Sequence, residues 1–140
     1  MNVKLPMHEA LKPITWLYGQ PMLNYTARSW YADSKQPIHY EMGFLRIIPD
    51  TNKVSLLLSH NRGIITIEEG VVEDEVIKLK TTSIQIPTKG AREPKVTKLQ
   101  REFRLIGSCL QHTLCMATEA TPELQEHLLA TYVKDCDNVT

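Results

Sequence analysis

Short apolar segments separated by turn-forming residues dominate the middle of the chain. Turns such as Pro49-Asp50-Thr51-Asn52 and Ile106-Gly107-Ser108 stand between them. Strands at this regular spacing, with no helical segment between them, predict an antiparallel up-and-down meander. Because open sheet edges promote aggregation, we expect the meander to close as a β-barrel. The predicted strands are residues 21–31, 38–48, 54–59, 64–72, 76–86, 96–105 and 110–118.

Helices are expected only at the two ends of the chain. Thr121-Pro122-Glu123 combines a hydroxyl N-cap, a proline at the first helical position and an acid in the first turn. Apolar residues then recur at four-residue spacing as Leu124, Leu128 and Tyr132, which indicates a C-terminal helix. A second short helix, interrupted by a proline, is expected within residues 8–17.

Alternation along the strand at residues 110–118 assigns His112 to the interior. Leu110, Leu114 and Met116 lie on the same face as His112, and the opposite face is more polar. A single imidazole is therefore expected among apolar side chains inside the barrel.

Arg101 occupies an inward position on the preceding strand, on the face that carries Leu99, Phe103 and Leu105. A buried guanidinium without a partner destabilises a fold strongly. Two interpretations therefore stay open. Arg101 lies near a barrel mouth or pairs with an acid such as Glu41, or it meets an anionic group of a ligand.

Three further histidines stand at places where a ligand could enter. His39 and His60 lie where strands begin or end, and a hydrogen-bonded structural role is the ordinary expectation there. His127 borders the apolar stripe of the predicted C-terminal helix, one residue before Leu128. A helix packed across the barrel mouth would direct its imidazole into the lumen, although the pattern alone favours a rim histidine.

Composition narrows the functional classes. A length of 140 residues suits one domain, and 16 basic against 16 acidic residues give a formal net charge of zero, which argues against a nucleic-acid binder. No apolar run approaches the about 20 residues of a membrane helix, and from their composition we do not expect the first residues to be a signal peptide. Three cysteines without metal-type spacing indicate reduced thiols in the cytoplasm or nucleus.

Sequence motifs for hydrolysis or nucleotide binding are missing from the chain. The acidic residues Glu68-Glu69 and Glu73-Asp74-Glu75 flank predicted turns and are interpreted as solvated charge. We therefore expect any chemistry to depend on a bound cofactor.

Several strings of residues, in one order, resemble the nitrobindin family of haem-binding β-barrels. This domain also forms the C-terminal part of some THAP-type zinc-finger proteins. The resemblance extends from Gln20 to Lys134 with similar spacing. It is carried by Gln20-Pro21-Met22-Leu23-Asn24-Tyr25, Ile38-His39-Tyr40-Glu41-Met42-Gly43-Phe44-Leu45-Arg46, Ser59-His60-Asn61-Arg62-Gly63-Ile64, Arg101-Glu102-Phe103-Arg104-Leu105 and Leu124-Gln125-Glu126-His127-Leu128-Leu129-Ala130.

The resemblance implies an all-β fold, an antiparallel up-and-down β-barrel related in shape to fatty-acid-binding proteins. It implies haem b with its iron held by one axial histidine, and this role carries over to His127. Arg101 matches a position near the haem edge, where a guanidinium could meet a propionate. Positions on the distal side are matched by Ile38, His39, His60 and Met116.

The activity that the resemblance implies is binding of nitric oxide and isomerisation of peroxynitrite to nitrate. The expected partners are these small molecules, without nucleic acid or membrane, in a monomer or weak homodimer. Two alternatives remain: a non-haem carrier of a small apolar ligand, and an inactive shortened chain.

The sequence departs from the nitrobindin pattern after Gly19. Nitrobindins follow a W-L-x-G string with a G-x-W-x-G-x-G strand and then a second strand, whereas Trp16-Leu17-Tyr18-Gly19 runs directly into Gln20. About two strands, roughly 20–30 residues, are therefore expected to be missing. We expect residues 1–140 to form one domain with about eight strands in an incompletely closed barrel and short terminal helices.

Overall fold

A computed structural model of the chain describes the backbone of residues 2–7 and 11–13 and all atoms of residues 22–134. Every regular element in these residues is a strand, and they include no helix long and apolar enough to cross a membrane. The strands are β1 (Asn2–Met7), β2 (Leu11–Pro13), β3 (Met22–Trp30), β4 (Pro37–Ile47), β5 (Lys53–His60), β6 (Ile65–Glu73), β7 (Val76–Gln85), β8 (Val96–Ile106), β9 (Cys109–Thr118) and β10 (Gln125–Lys134).

The strands form one sheet in the order β1-β10-β9-β8-β7-β6-β5-β4-β3-β2. From β3 to β10 each strand pairs antiparallel with the next one in sequence, which confirms the predicted meander. β1 pairs parallel with β10, and β2 pairs antiparallel with β3. In the described part of the chain β1 and β2 are the two ends of this order, so the eight antiparallel strands form a half-barrel that is not closed.

The predicted C-terminal helix is wrong, because residues Gln125–Lys134 form β10 against β9. A spacing of four residues places side chains on one face of a helix, but it also places them on one face of a strand. Pairing with β9 satisfies the backbone of β10 and buries Ala130 and Tyr132. The proposed N-terminal helix lies mostly outside the described residues, and its part Leu11–Pro13 forms β2 instead.

Strand alternation places the apolar core on the concave side of the half-barrel. On β5 the buried positions are Val54, Leu56 and Leu58, with less buried side chains between them. They pack in one cluster with buried side chains from β3, β4, β7 and β8. These side chains are Tyr25, Leu45, Leu79 and Phe103. The inward position predicted for His112 is confirmed, since its side chain is buried.

Two glycines allow neighbouring strands to approach closely. A Cβ atom at Gly43 would collide with the backbone carbonyl of Leu57, and one at Gly70 would collide with that of Lys78. Because the obstacle is backbone, no side-chain rotation relieves it. The close approach of β4 to β5 and of β6 to β7 therefore depends on glycine at both positions.

Candidate functional site

A cavity of about 280 Å³ lies at one end of the half-barrel, between strands from both halves of the sheet. This volume is near the lower end of the range for small-molecule pockets, about 300–1,000 Å³. Its wall includes the apolar side chains of Leu114, Met116 and Leu128 on β9 and β10. The loops after β5 and β7 complete the mouth of the cavity.

Four of the six predicted site residues line this cavity: His39, His60, Met116 and His127. Ile38 is not among the lining residues, and its backbone carbonyl accepts a 3.4 Å hydrogen bond from the Arg62 guanidinium. Arg101 lies beneath the cavity floor and is described below.

His127 reaches the cavity because of a β-bulge in β10. Glu126 pairs with Cys115 and Leu128 pairs with Leu114, so His127 has no residue opposite it on β9. A bulge of this kind redirects a side chain and is common beside functional sites. The mouth position predicted for His127 therefore arises from an extra residue in a strand and not from a helix across the opening.

The rings of His39 and His127 meet edge-to-face, with centroids 5.6 Å apart and an interplanar angle of 76°. Burial, and next the nearby His127, lower the pKa of His39, with smaller contributions from His60 and Arg92 against an opposing one from Glu41. His39 is therefore neutral at pH 7, with one ring nitrogen free of a proton.

Beneath the cavity, the fully buried Arg101 guanidinium lies between two carboxylates. Its Nη1 and Nη2 donate to the oxygens of Glu41 at 2.7 and 3.1 Å. Its Nε and Nη2 donate to the oxygens of Glu68 at 2.9 and 3.2 Å. The Tyr25 hydroxyl and His112 Nε2 lie 3.4 and 3.1 Å from Nη1, so all five N–H groups have acceptors.

The structure thus contains the pairing of Arg101 with Glu41, which was one of the two interpretations drawn from the sequence. A role of Arg101 toward a haem propionate stays a prediction, and it would require one of these bonds to break. Although burial opposes it, the charge of Arg101 together with hydrogen bonds from His60 and Arg101 holds the pKa of Glu41 well below its usual range. Glu41 is therefore ionised at neutral pH.

The interpretation of Glu68 as solvated charge is wrong, because its side chain is fully buried. On β6 the apolar residues Ile65 and Ile67 are exposed, whereas Thr66 and Glu68 face the interior. This inverts the usual assignment of apolar side chains to the core. The only signal in the sequence for a buried acid is the inward Arg101, which requires a negatively charged partner. Because β7 lies between β6 and β8, the pattern within a single strand does not show that Glu68 is this partner.

His60 connects the buried network to the cavity wall. Its Nδ1 lies 3.2 Å from a Glu41 oxygen, and its Nε2 lies 3.1 Å from the Thr66 hydroxyl. Thr66 in turn donates to Glu68 at 3.2 Å. The hydrogen-bonded structural role expected for a histidine at a strand end is therefore present at His60.

His112 is held neutral by its surroundings. Burial, and next the positive charge of Arg101, lower its pKa to about 3. Because Nε2 accepts from Arg101, the ring proton is on Nδ1, which is buried and has no hydrogen-bond partner in the described residues. The ring stacks on Phe103 with centroids 4.4 Å apart. The sequence assigned the direction of this side chain but not its partners.

Comparison with known proteins identifies the family. The family model described as "THAP4-like, heme-binding beta-barrel domain" matches residues 10–134. The chain belongs to this haem-binding β-barrel family. It is 40% identical over 117 residues to the human protein named peroxynitrite isomerase THAP4, an alignment that covers 83% of this chain and 20% of that protein. The chain thus spans about a fifth of the length of this relative.

Bacterial members of the family match over more of their length. A peroxynitrite isomerase of Nocardia farcinica is 36% identical, with 84% of this chain and 69% of that protein aligned. The crystal structure of Rv2717c from M. tuberculosis superposes with a TM-score of 0.68 at 34% identity, covering 83% of this chain and 73% of that one. The all-β fold is therefore shared with a solved family member.

The cavity residues fit the haem group that the family name implies. The described residues include no group of three or more His, Cys, Asp or Glu side chains that could hold a metal ion alone. The bulged His127 instead offers an imidazole at the mouth of an apolar cavity, and one imidazole is a sufficient protein ligand for haem iron. The apolar walls suit the body of a porphyrin.

Proposed function

We propose that this chain binds haem b in the cavity with His127 as its one axial ligand, and that it binds nitric oxide and isomerises peroxynitrite to nitrate. The observation that carries the proposal is the His127 bulge, which presents an exposed imidazole at the mouth of an apolar cavity. The membership in a haem-binding family and the names of its relatives support it.

Each part of the cavity has a separate task in this proposal. When bound, ferric haem supplies a Lewis-acid iron centre for the peroxynitrite anion. His127 holds the group, and Leu114, Met116 and Leu128 exclude water from the chamber. His39 supplies no acidic imidazolium proton to the same chamber, because its ring is neutral at pH 7.

The remaining distal residues act less directly. His60 is fixed by Glu41 and Thr66, so its ring keeps one orientation in the wall. Ile38 contributes through its carbonyl, which positions Arg62. We also propose a monomer or weak homodimer in the cytoplasm or nucleus, where Cys109 and Cys115, both unpaired in the structure, remain reduced.

Reconstitution with ferric haem tests the function. The wild-type chain is expected to show a Soret band on titration at micromolar concentration, and His127→Ala is expected to bind at least about tenfold more weakly. Added imidazole is expected to restore the spectrum of His127→Ala. Gln125→Ala, an exposed change in the same strand, is the matched control. Equal haem affinity in wild type and His127→Ala would overturn the proposal.

A non-haem carrier of a small apolar ligand is the second candidate, and the apolar cavity wall favours it. It predicts that the purified protein retains an extractable apolar molecule and that its binding is unchanged in His127→Ala. The same titrations therefore separate the two functions. An inactive shortened chain would bind neither class of ligand.

A further inference from the structure

Two arginines at the mouth of the cavity have no carboxylate partner among residues 22–134. Arg62 lies in the turn after β5 and Arg92 in the loop after β7, and both line the cavity. Within the same residues the ion pairs engage other cations, and none joins these two arginines to an acid. Since the chain has a formal net charge of zero, this is a local excess of positive charge.

The two acids that also line the cavity are engaged elsewhere. Glu41 binds the buried Arg101 in a bidentate pair. Glu93 lies 3.8 Å from the Lys95 ammonium. The positive charge of the two arginines is therefore not neutralised by the cavity wall itself.

A contact with the backbone holds one of these guanidinium groups at the mouth. Arg62 donates through Nη2 to the Ile38 carbonyl at 3.4 Å. This contact uses one nitrogen of a five-donor fork, so further donors remain on the same group. The positive charge of Arg92 contributes to the lowered pKa of His39, which places this charge near the cavity histidines.

We propose that Arg62 and Arg92 bind the carboxylate groups of the ligand whose apolar body fills the cavity. The inference rests on the proposed function, in which these carboxylates are the two haem propionates. Guanidinium groups bind carboxylates in bidentate fashion, and such charge-assisted bonds are stronger than neutral ones. In this proposal the propionates contact arginines at the cavity mouth and not Arg101, because the donors of Arg101 are all engaged by the protein.

Metal-free protoporphyrin IX and its dimethyl ester test carboxylate binding by Arg62 and Arg92 without iron. Fluorescence titration of the full chain is expected to show about tenfold tighter binding of the diacid than of the diester, decreasing at higher salt. The double variant Arg62→Gln, Arg92→Gln is expected to bind both probes equally. The control double variant Lys53→Gln, Lys78→Gln removes the same charge outside this cavity and is expected to keep the preference.

Two results would overturn the inference: equal binding of diacid and diester by the wild-type chain, or an unchanged preference in the arginine double variant. A cooperative thermal transition shows that the double variant is folded. If it does not fold, the single variant Arg92→Gln, changed in an exposed loop, is used in its place and is expected to lose part of the preference.

Failure of the haem proposal gives a different pattern. If His127→Ala binds haem as tightly as wild type, the axial role fails, but the diacid preference still reports on Arg62 and Arg92. If neither porphyrin binds, a long-chain fatty acid and its methyl ester are compared in the same variants. A preference for the acid that is lost in the arginine double variant supports carboxylate binding by Arg62 and Arg92, and no preference overturns it.

Discussion

Arg101 and Glu68 form a fully buried ion pair between strands that are not neighbours in the sheet. They lie 33 residues apart, and the Nε–Oε2 distance is 2.9 Å. Arg101 is on β8 and Glu68 is on β6. Because β7 lies between these strands, the two side chains meet across β7. Glu41 holds the other side of the same guanidinium, and Tyr25 donates to Glu41 at 2.8 Å. The pair thus connects strands β3, β4, β6 and β8 across the concave side.

Glu68→Ala is expected to destabilise the fold by about 3 kcal/mol, because removing one partner leaves a buried charge incompletely compensated. Urea-induced unfolding measures the loss, and Glu69→Ala, an exposed change at the next residue, is expected to cost less than about 0.5 kcal/mol. Similar unfolding free energies for the two variants would contradict a stabilising role of the pair.

The strands of the meander could be predicted from sequence because turn residues delimit them and periodicity is local. The predicted segments at 38–48 and 96–105 correspond to β4 and β8, with ends shifted by about one residue. The inward positions of Arg101 and His112 followed from the alternation within single strands. These properties depend on neighbours along the chain.

The partners in the buried network could not be predicted in the same way. Glu68 is buried because Arg101 needs a second carboxylate, which is a contact across the interior between distant strands. The C-terminal helix was predicted wrongly because apolar residues at four-residue spacing fit both a helix and a strand. The segment forms a strand because it pairs with the edge of β9, and this edge exists only once the rest of the sheet has formed.

The free energy of unfolding is expected to fall as the pH is lowered from 7 toward 3. The pKa of His112 is lowered to about 3 from 6.5, so the unfolded chain takes up a proton in this window that the native ring does not. Glu41, whose pKa lies well below 4.5, adds to the loss below pH 4.5, because its carboxylate is protonated more readily in the unfolded chain.

Urea titrations at pH 7, 6, 5 and 4 measure this pH dependence. His112→Leu is expected to show a shallower loss between pH 6.5 and 4.5, since it removes the histidine from both states. The Glu41 contribution below pH 4.5 is expected to remain. A slope in His112→Leu equal to that of wild type would show that this histidine is not responsible.

Gly43→Ala and Gly70→Ala are each expected to destabilise the fold by about 2 kcal/mol. In both cases the added methyl group meets a backbone carbonyl of the adjacent strand, so the strands must separate. Ser83→Ala, on β7 and without a neighbouring obstruction of this kind, serves as the control. Thermal unfolding monitored by circular dichroism compares the stability of these three variants with that of wild type. A Gly70→Ala variant as stable as wild type would contradict the close approach of β6 and β7.

Substitutions in β10 distinguish the observed strand from the helix that the sequence predicts. As a helix, the segment would bury Leu124 with Leu128 and Tyr132, but in β10 and the preceding residues Leu124 is exposed and Ala130 is fully buried. Leu124→Asn is therefore expected to change the unfolding free energy by less than about 0.5 kcal/mol.

Ala130→Leu is expected to cost about 1–3 kcal/mol, because extra methylene groups enter a packed site beside Tyr132. Urea unfolding of both variants, with Val133→Ala as a control at an exposed position, gives the comparison. A large loss in Leu124→Asn together with a neutral Ala130→Leu would favour the helix. A neutral Leu124→Asn together with a costly Ala130→Leu would support the strand register that contains the bulge at His127.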